Sequence, residues 1–156
     1  MVKRKFVKWM GGSCGFTLVE LLIVVSIIGI LSGIVVSVIN PNKIRGRARD
    51  GVRKNDIAVV KGALELYYAE NNTYPASGTI PFGGAWTVGS VTYLRAVPQD
   101  PYYSQNSSYS YCYQKVGNGY VLCTKVEDSN SASVPSGAAP CGSIPVASAY
   151  CVQNPF

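Results

Sequence analysis

The chain has 156 residues, 47% of them hydrophobic, which is enough for one compact domain and an appendage. Its net charge is +6, but four of the positive residues lie in the first fifteen residues, so the charge is a poor argument for nucleic-acid binding. Histidine is absent, which removes the commonest general base and metal ligand. We therefore predict no catalytic residues, no cofactor and no metal site.

The first strong feature is an apolar run over residues 16–39, interrupted by a single charge, Glu20. As a helix these 24 residues are about 36 Å long, enough to cross a bilayer. A secretory signal peptide has a shorter apolar region and a small-x-small cleavage site after it, and no such site follows Ser37. We expect the run to be retained as a transmembrane helix over residues 16–40.

The residues GFTLVE at positions 15–20 mark the start of this run and follow a basic leader. This string resembles the processing site of type IV pilins and type II secretion pseudopilins. The resemblance implies that prepilin peptidase cuts between Gly15 and Phe16, removing residues 1–15, and methylates Phe16. It also implies self-assembly through the apolar helix into a filament, on an assembly platform in the inner membrane.

Glu20 is the unusual residue of the helix, because a charge inside lipid is costly. Cleavage would create an amine at Phe16, and we expect Glu20 to pair with the amine of a neighbouring subunit during assembly. The alternative is that Glu20 lies near the membrane–water interface and its side chain only extends toward the lipid headgroups. Gly29 and Gly33 form a Gly-x-x-x-Gly pattern, which favours close helix packing in lipid.

Beyond Pro41 the apolar residues Ile57, Val60, Leu64 and Tyr67 recur at helical spacing, until stop signals at Asn71 and Asn72. The sequence therefore predicts one helix of about 55 residues, loosened near Pro41, whose soluble half covers residues 41–74. With an exported domain over residues 75–156, the resemblance implies an α+β fold of the pilin type. In that fold the long helix packs on a small antiparallel sheet.

Seven basic residues lie between Lys43 and Lys61, against two acidic ones, Asp50 and Asp56. Basic residues beside a membrane helix favour the cytoplasm, so this stretch opposes the orientation that leader cleavage requires. We interpret the stretch as a solvated helix face, with anionic lipid, DNA or a cell-wall polymer as alternative partners. We still expect the C-terminal domain on the outer side of the inner membrane, as part of a periplasmic or extracellular filament.

The clearest hairpin comprises residues 108–115 and 120–127, joined at Gly117 and Asn118. This register places Tyr113 opposite Leu122, and by continuation Tyr111 opposite Thr124 and Tyr109 opposite Val126. All eleven tyrosines lie from Tyr67 onward, so the aromatic core is expected here.

Four cysteines follow in the same region, without the Cys-x-x-Cys spacing of a zinc or redox site: Cys112, Cys123, Cys141 and Cys151. The hairpin register sets Cys112 directly opposite Cys123, at a separation that a disulfide can bridge. Cys141 and Cys151 would then form the second bond, although four cysteines allow three connectivities.

Residues 93–102 resemble a leucine-proline-aspartate-proline stretch of the major type II pseudopilins. That family also holds calcium near its C-terminus. Glu127 and Asp128 are the nearby carboxylates here, and two carboxylates are too few to predict a calcium site.

The sequence favours a structural filament subunit, of either a type IV pilus or a secretion pseudopilus. The alternative function is a membrane-tethered binding protein, such as an adhesin or a DNA-uptake receptor.

Overall fold

The computed structural model describes residues 15–38 and 40–154. Most of the predicted leader, with Cys14, lies outside these residues, as does Ile39. The chain divides into two units, one ending at Asn40 and one beginning at Pro41.

The described residues form two helices where the sequence predicted one long helix loosened near Pro41. Helix α1 comprises Leu18–Val38 and helix α2 comprises Pro41–Asn71. Pro41 is the first residue of α2, a position that suits proline because its missing N–H would have no partner in the first turn. The proline that was expected to loosen a continuous helix instead starts a new one.

Helix α2 presents an apolar stripe to the rest of its unit. Ile57, Val60 and Leu64 are buried in this stripe, as the helical spacing predicted. The helix ends at Asn71, and Asn72 follows with a positive φ of 50° while its N–H donates to the Tyr68 carbonyl at 2.8 Å. The predicted stop signals are therefore confirmed.

Five strands form two antiparallel sheets within the described residues. Strands β1 and β2 make a hairpin, and β4 lies between β3 and β5 in the second sheet. Their bounds are β1 Trp86–Val88, β2 Val91–Leu94, β3 Cys112–Val116, β4 Gly119–Lys125 and β5 Ala149–Gln153. A helix packed on small antiparallel sheets confirms the expected α+β class.

The predicted hairpin is β3–β4, and its register is confirmed. Tyr113 pairs with Leu122, and Gly117 starts the two-residue turn with a φ of 57°, which glycine adopts without strain. The ladder is shorter than predicted, because β3 begins at Cys112. The expected pairs of Tyr111 with Thr124 and Tyr109 with Val126 are absent from the described ladder. On the other edge of β4, the pairing with β5 continues one residue further, where the Val126 N–H donates to the Ser148 carbonyl at 2.8 Å.

The core between α2 and the sheets is aromatic, as expected. Tyr74, Tyr113, Tyr120 and Trp86 are all buried in it. Their polar ends find partners: for example, the Tyr113 hydroxyl donates to the Pro75 carbonyl at 2.7 Å. A second, smaller cluster lies around the cysteines, on the opposite face of β3–β4–β5.

Candidate processing junction and charged cluster

The processing junction, residues 15–20, sits at the start of α1. Thr17 precedes the helix, and its Oγ1 accepts a hydrogen bond from the Glu20 N–H at 3.2 Å. In return, Glu20 Oε2 accepts from the Thr17 N–H and from Thr17 Oγ1, both at 2.9 Å. This reciprocal arrangement is a capping box, which satisfies backbone donors that a helix start leaves without partners.

The capping box was missed in the sequence, although Thr-x-x-Glu before an apolar run is its signature. The structure thus places Glu20 beside Thr17 of its own chain. The amine that was predicted to pair with Glu20 exists only after cleavage, so that role remains a proposal.

The rest of α1 is apolar and exposed. Residues Leu18–Val35 are long and apolar enough to cross a membrane, by length and composition alone. A Cβ added at Gly29 or Gly33 would meet no atom within 4 Å, so both glycines offer an open surface to another helix. Ser26 is a polar residue on this apolar helix. Its hydroxyl is satisfied within the helix, because it donates to the Leu22 carbonyl at 2.8 Å.

A charged cluster lies in the second unit, where α2 meets the loop at Asp100 and the segment after β4. We define the arginine cluster by seven residues: Arg47, Arg49, Asp50, Arg53, Asp100, Glu127 and Asp128.

Arg53 is the centre of the arginine cluster, and its side chain has no exposed surface. It donates to Asp100 through Nε at 2.7 Å and through Nη2 at 3.0 Å, in the bidentate geometry that guanidinium favours. Its Nη1 donates to Asp50 at 2.7 Å and to Glu127 at 2.8 Å. One buried cation therefore joins α2 to two distant parts of the chain.

Glu127 is also held by Arg49, whose Nε donates to Glu127 Oε1 at 2.6 Å. The hydrogen bond from Arg49 lowers the pKa of Glu127, desolvation opposes it, and Arg53 lowers it further, to about 2. Glu127 is therefore ionised at neutral pH in the folded domain.

Asp50 completes the arginine cluster from within α2. It is buried, and its carboxylate accepts the backbone N–H groups of Glu127 and Asp128, each at 2.9 Å. Arg47 in turn bonds Asp128 at 2.6 Å. The chain after β4 is therefore fixed to α2 through both backbone and side chains.

These contacts correct the interpretation of residues 43–61 as a solvated face. Arg53 is fully buried, and Arg47 and Arg49 are paired with acidic side chains from far along the chain. Lys54 lies over the Tyr150 ring at 5.1 Å from its centre. The stretch is partly internal structure rather than an unengaged basic surface.

Glu127 and Asp128, the carboxylates considered for calcium, are both occupied by arginines. Among residues 15–38 and 40–154, no group of three or more His, Cys, Asp or Glu is placed to hold a metal ion.

The disulfides differ from the predicted pairing. Cys112 bonds Cys141, and Cys123 bonds Cys151. Cys112 does lie opposite Cys123, but Cys123 also lies opposite Cys151 on the other neighbouring strand. The hairpin register was right, and the pairing inferred from it was wrong because β5 offers Cys123 a second partner.

Comparison with known proteins adds evidence at the processing junction. Residues 10–36 match the family model described as the prokaryotic N-terminal methylation motif. Type II secretion system core protein G of Klebsiella pneumoniae is 32% identical over 99 residues, covering 56% of this chain and 68% of the relative. The chain belongs to the pilin and pseudopilin family.

Other members of this family match in the same way. Core protein G of Escherichia coli K12 is 30% identical over 118 residues, covering 69% of this chain and 70% of the relative. Core protein G of Pseudomonas aeruginosa is 38% identical over 63 residues, covering 40% of this chain and 43% of the relative. No solved structure gave a significant match.

Proposed function

We propose that the chain is the precursor of a structural subunit of a type II secretion pseudopilus. Prepilin peptidase cleaves it between Gly15 and Phe16 and methylates Phe16, and α1 then anchors the subunit in the inner membrane. The observation that carries the proposal is the methylation motif over residues 10–36, at the start of an exposed apolar helix.

The choice of a secretion pseudopilus over a pilus rests on the relatives. Those named above are core proteins of type II secretion, and two of them align over about two thirds of their length. The partners that follow are further copies of the chain, prepilin peptidase, the assembly platform and the lipid bilayer. The domain beginning at Pro41 lies on the outer side of the membrane, where its disulfides are stable.

A second apolar face on α2 supports assembly with other subunits. Val52, Val59 and Leu66 are spaced by seven residues and therefore share one side of the helix, away from the buried stripe. They are 49%, 40% and 61% exposed, respectively. Gly51 and Gly62 on the same side would allow close approach, since a Cβ on either would meet nothing within 4 Å.

The arginine cluster weakens the alternative of a DNA-uptake receptor. Arg47, Arg49 and Arg53 already bond carboxylates of their own domain, which removes three cations from the basic stretch. Phosphate binding would have to compete with these partners.

The decisive experiment is mass spectrometry of the N-terminus in cells with and without prepilin peptidase. We expect a start at Phe16 carrying one added methyl group when the peptidase is present, and the intact precursor when it is absent. A chain that retains Met1 in normal cells, or that starts beyond Ile39, would contradict the proposal.

Two substitutions separate the two roles of Glu20. Glu20→Gln keeps a side chain that can serve in a capping box but removes the charge, whereas Thr17→Val removes the cap and keeps the carboxylate. If Glu20 pairs with the amine of a neighbouring subunit, Glu20→Gln inserts into the membrane but forms few filaments, while Thr17→Val assembles. The opposite result would assign Glu20 to capping alone.

A further inference from the structure

A groove in the second unit lies on the face of β3–β4–β5 that points away from α2, and its volume is about 640 Å³. Residues 137–139 also line the groove. This volume falls in the usual range for small-molecule sites. We propose that the groove binds a neutral oligosaccharide.

The polar lining of the groove consists mainly of carboxamides. They are Gln114, Asn118 and Gln153, together with Asn154, whose amide already donates to the Tyr74 hydroxyl. A carboxamide carries both donors and an acceptor in one plane, so it matches a sugar hydroxyl or acetamido group in either hydrogen-bonding direction. No Asp, Glu, Lys or Arg is among the described residues that line the groove. Phosphates and other charged ligands would therefore find no counter-charge there.

The sheet fixes the spacing of two of these carboxamides. Gln114 pairs with Val121 across β3–β4, and Val121 pairs with Gln153 across β4–β5. The three residues therefore lie side by side on one face, with the two glutamines about 10 Å apart. Val121 between them is buried, with 6% of its surface exposed, so apolar contact with a sugar ring must come from side chains at the edge of this row.

Apolar surface lies beside this row. Val116 is 55% exposed beside the turn, and Ala138 and Ala139 also line the groove. The combination of a rigid row of amides and small apolar side chains fits an uncharged ring with hydroxyl groups at its edge. It fits a charged peptide or a nucleotide poorly.

The test is a calorimetric titration of the mature full-length chain with chitotriose and with cellotriose. The chain is kept monomeric in a detergent without a sugar headgroup, so that the headgroup does not compete. We expect saturable binding of at least one trisaccharide. Because the titration uses monomers, its outcome does not depend on filament assembly or on the proposed function.

The variants are Gln114→Ala combined with Gln153→Ala, and Ala139→Arg, which fills the groove. Each should weaken binding about tenfold or more, as expected for the loss of two hydrogen bonds or for occlusion. Gln105→Ala is the matched control, because Gln105 is an exposed carboxamide outside the groove and its loss should change nothing. Absence of binding to both sugars, or equal binding by the groove variants, would overturn the proposal.

Discussion

Arg53 and Asp100 form a fully buried bidentate ion pair, with neither side chain exposed. They are 47 residues apart in the chain. Asp100 also accepts the Tyr102 N–H at 2.8 Å, so the pair orders the loop as well as joining it to α2.

Removing the Arg53 guanidinium should be severely destabilising. Arg53→Ala leaves Asp50 and Asp100 buried without their cation, and we expect a loss of about 3 to 5 kcal/mol in the free energy of unfolding. Urea denaturation of residues 41–156 measures this loss. Arg45→Ala, on the exposed side of the same helix, is the control and should change stability by less than about 0.5 kcal/mol. Similar values for both variants would show that the pair contributes little.

Acid should weaken the arginine cluster through Glu127. The pKa of Glu127 is lowered from 4.5 in the unfolded reference to about 2, so its contribution to stability is complete above pH 4.5 and is lost as the pH falls toward 2. Glu127→Gln cannot titrate and should lose less stability over the same interval. Denaturation midpoints between pH 5 and about pH 2 provide the measurement. Parallel curves for the two proteins would exclude Glu127 as the titrating group.

The disulfide pairing is directly measurable. Peptide mapping without reduction should recover the bonds Cys112–Cys141 and Cys123–Cys151. Replacing either pair with alanines opens a loop of 28 or 29 residues, which should cost about 3 to 4 kcal/mol on the loop-entropy model. A peptide joining Cys112 to Cys123 would restore the pairing predicted from the hairpin.

Two helix glycines should respond differently to alanine. A Cβ at Gly46 would lie 3.3 Å from Glu127 Oε2, so it would press on the carboxylate that Arg49 holds. A Cβ at Gly51 would meet nothing within 4 Å. Gly51→Ala should therefore gain about 0.5 to 1 kcal/mol, whereas Gly46→Ala should gain nothing or lose stability. Thermal unfolding of both variants compares them, and an equal gain at Gly46 would mean that the Glu127 contact yields at no cost.

Charge on the outer face of α2 should block assembly without unfolding the domain. Val59→Lys places a charge between Val52 and Leu66 on the apolar face, where a neighbouring subunit would have to bury it. We expect normal thermal stability and few filaments. Lys61→Glu is the matched control, since it changes an already charged, exposed position on another side of the helix. Normal filament yield from Val59→Lys would exclude this face from the subunit contact.

Local patterns predicted much of this structure. The apolar run of α1, the buried stripe with Ile57 and Leu64, and the β3–β4 register all depend on short-range spacing or on one turn. The capping box of Thr17 and Glu20 is equally local and was readable from the sequence.

The charged cluster and the disulfides were not predictable in this way. Arg53 and Glu127 are hydrogen-bonded although they are 74 residues apart in the sequence, and no local pattern near either residue indicates the other. Cys123 faces a cysteine on each side, so its partner depends on which strand completes the sheet. Such choices are made by tertiary packing rather than by local preference.

The crossed order of the disulfides has a consequence for oxidation during synthesis. Synthesis from the N-terminus produces Cys112 and Cys123 before the other two cysteines of the domain. These two lie opposite each other in the hairpin, but they are not bonded to each other in the folded domain. Both native bonds must wait for the C-terminal cysteines. If an oxidant joins Cys112 to Cys123 before the C-terminal cysteines are available, a thiolate must attack that bond and exchange it before both native bonds can form.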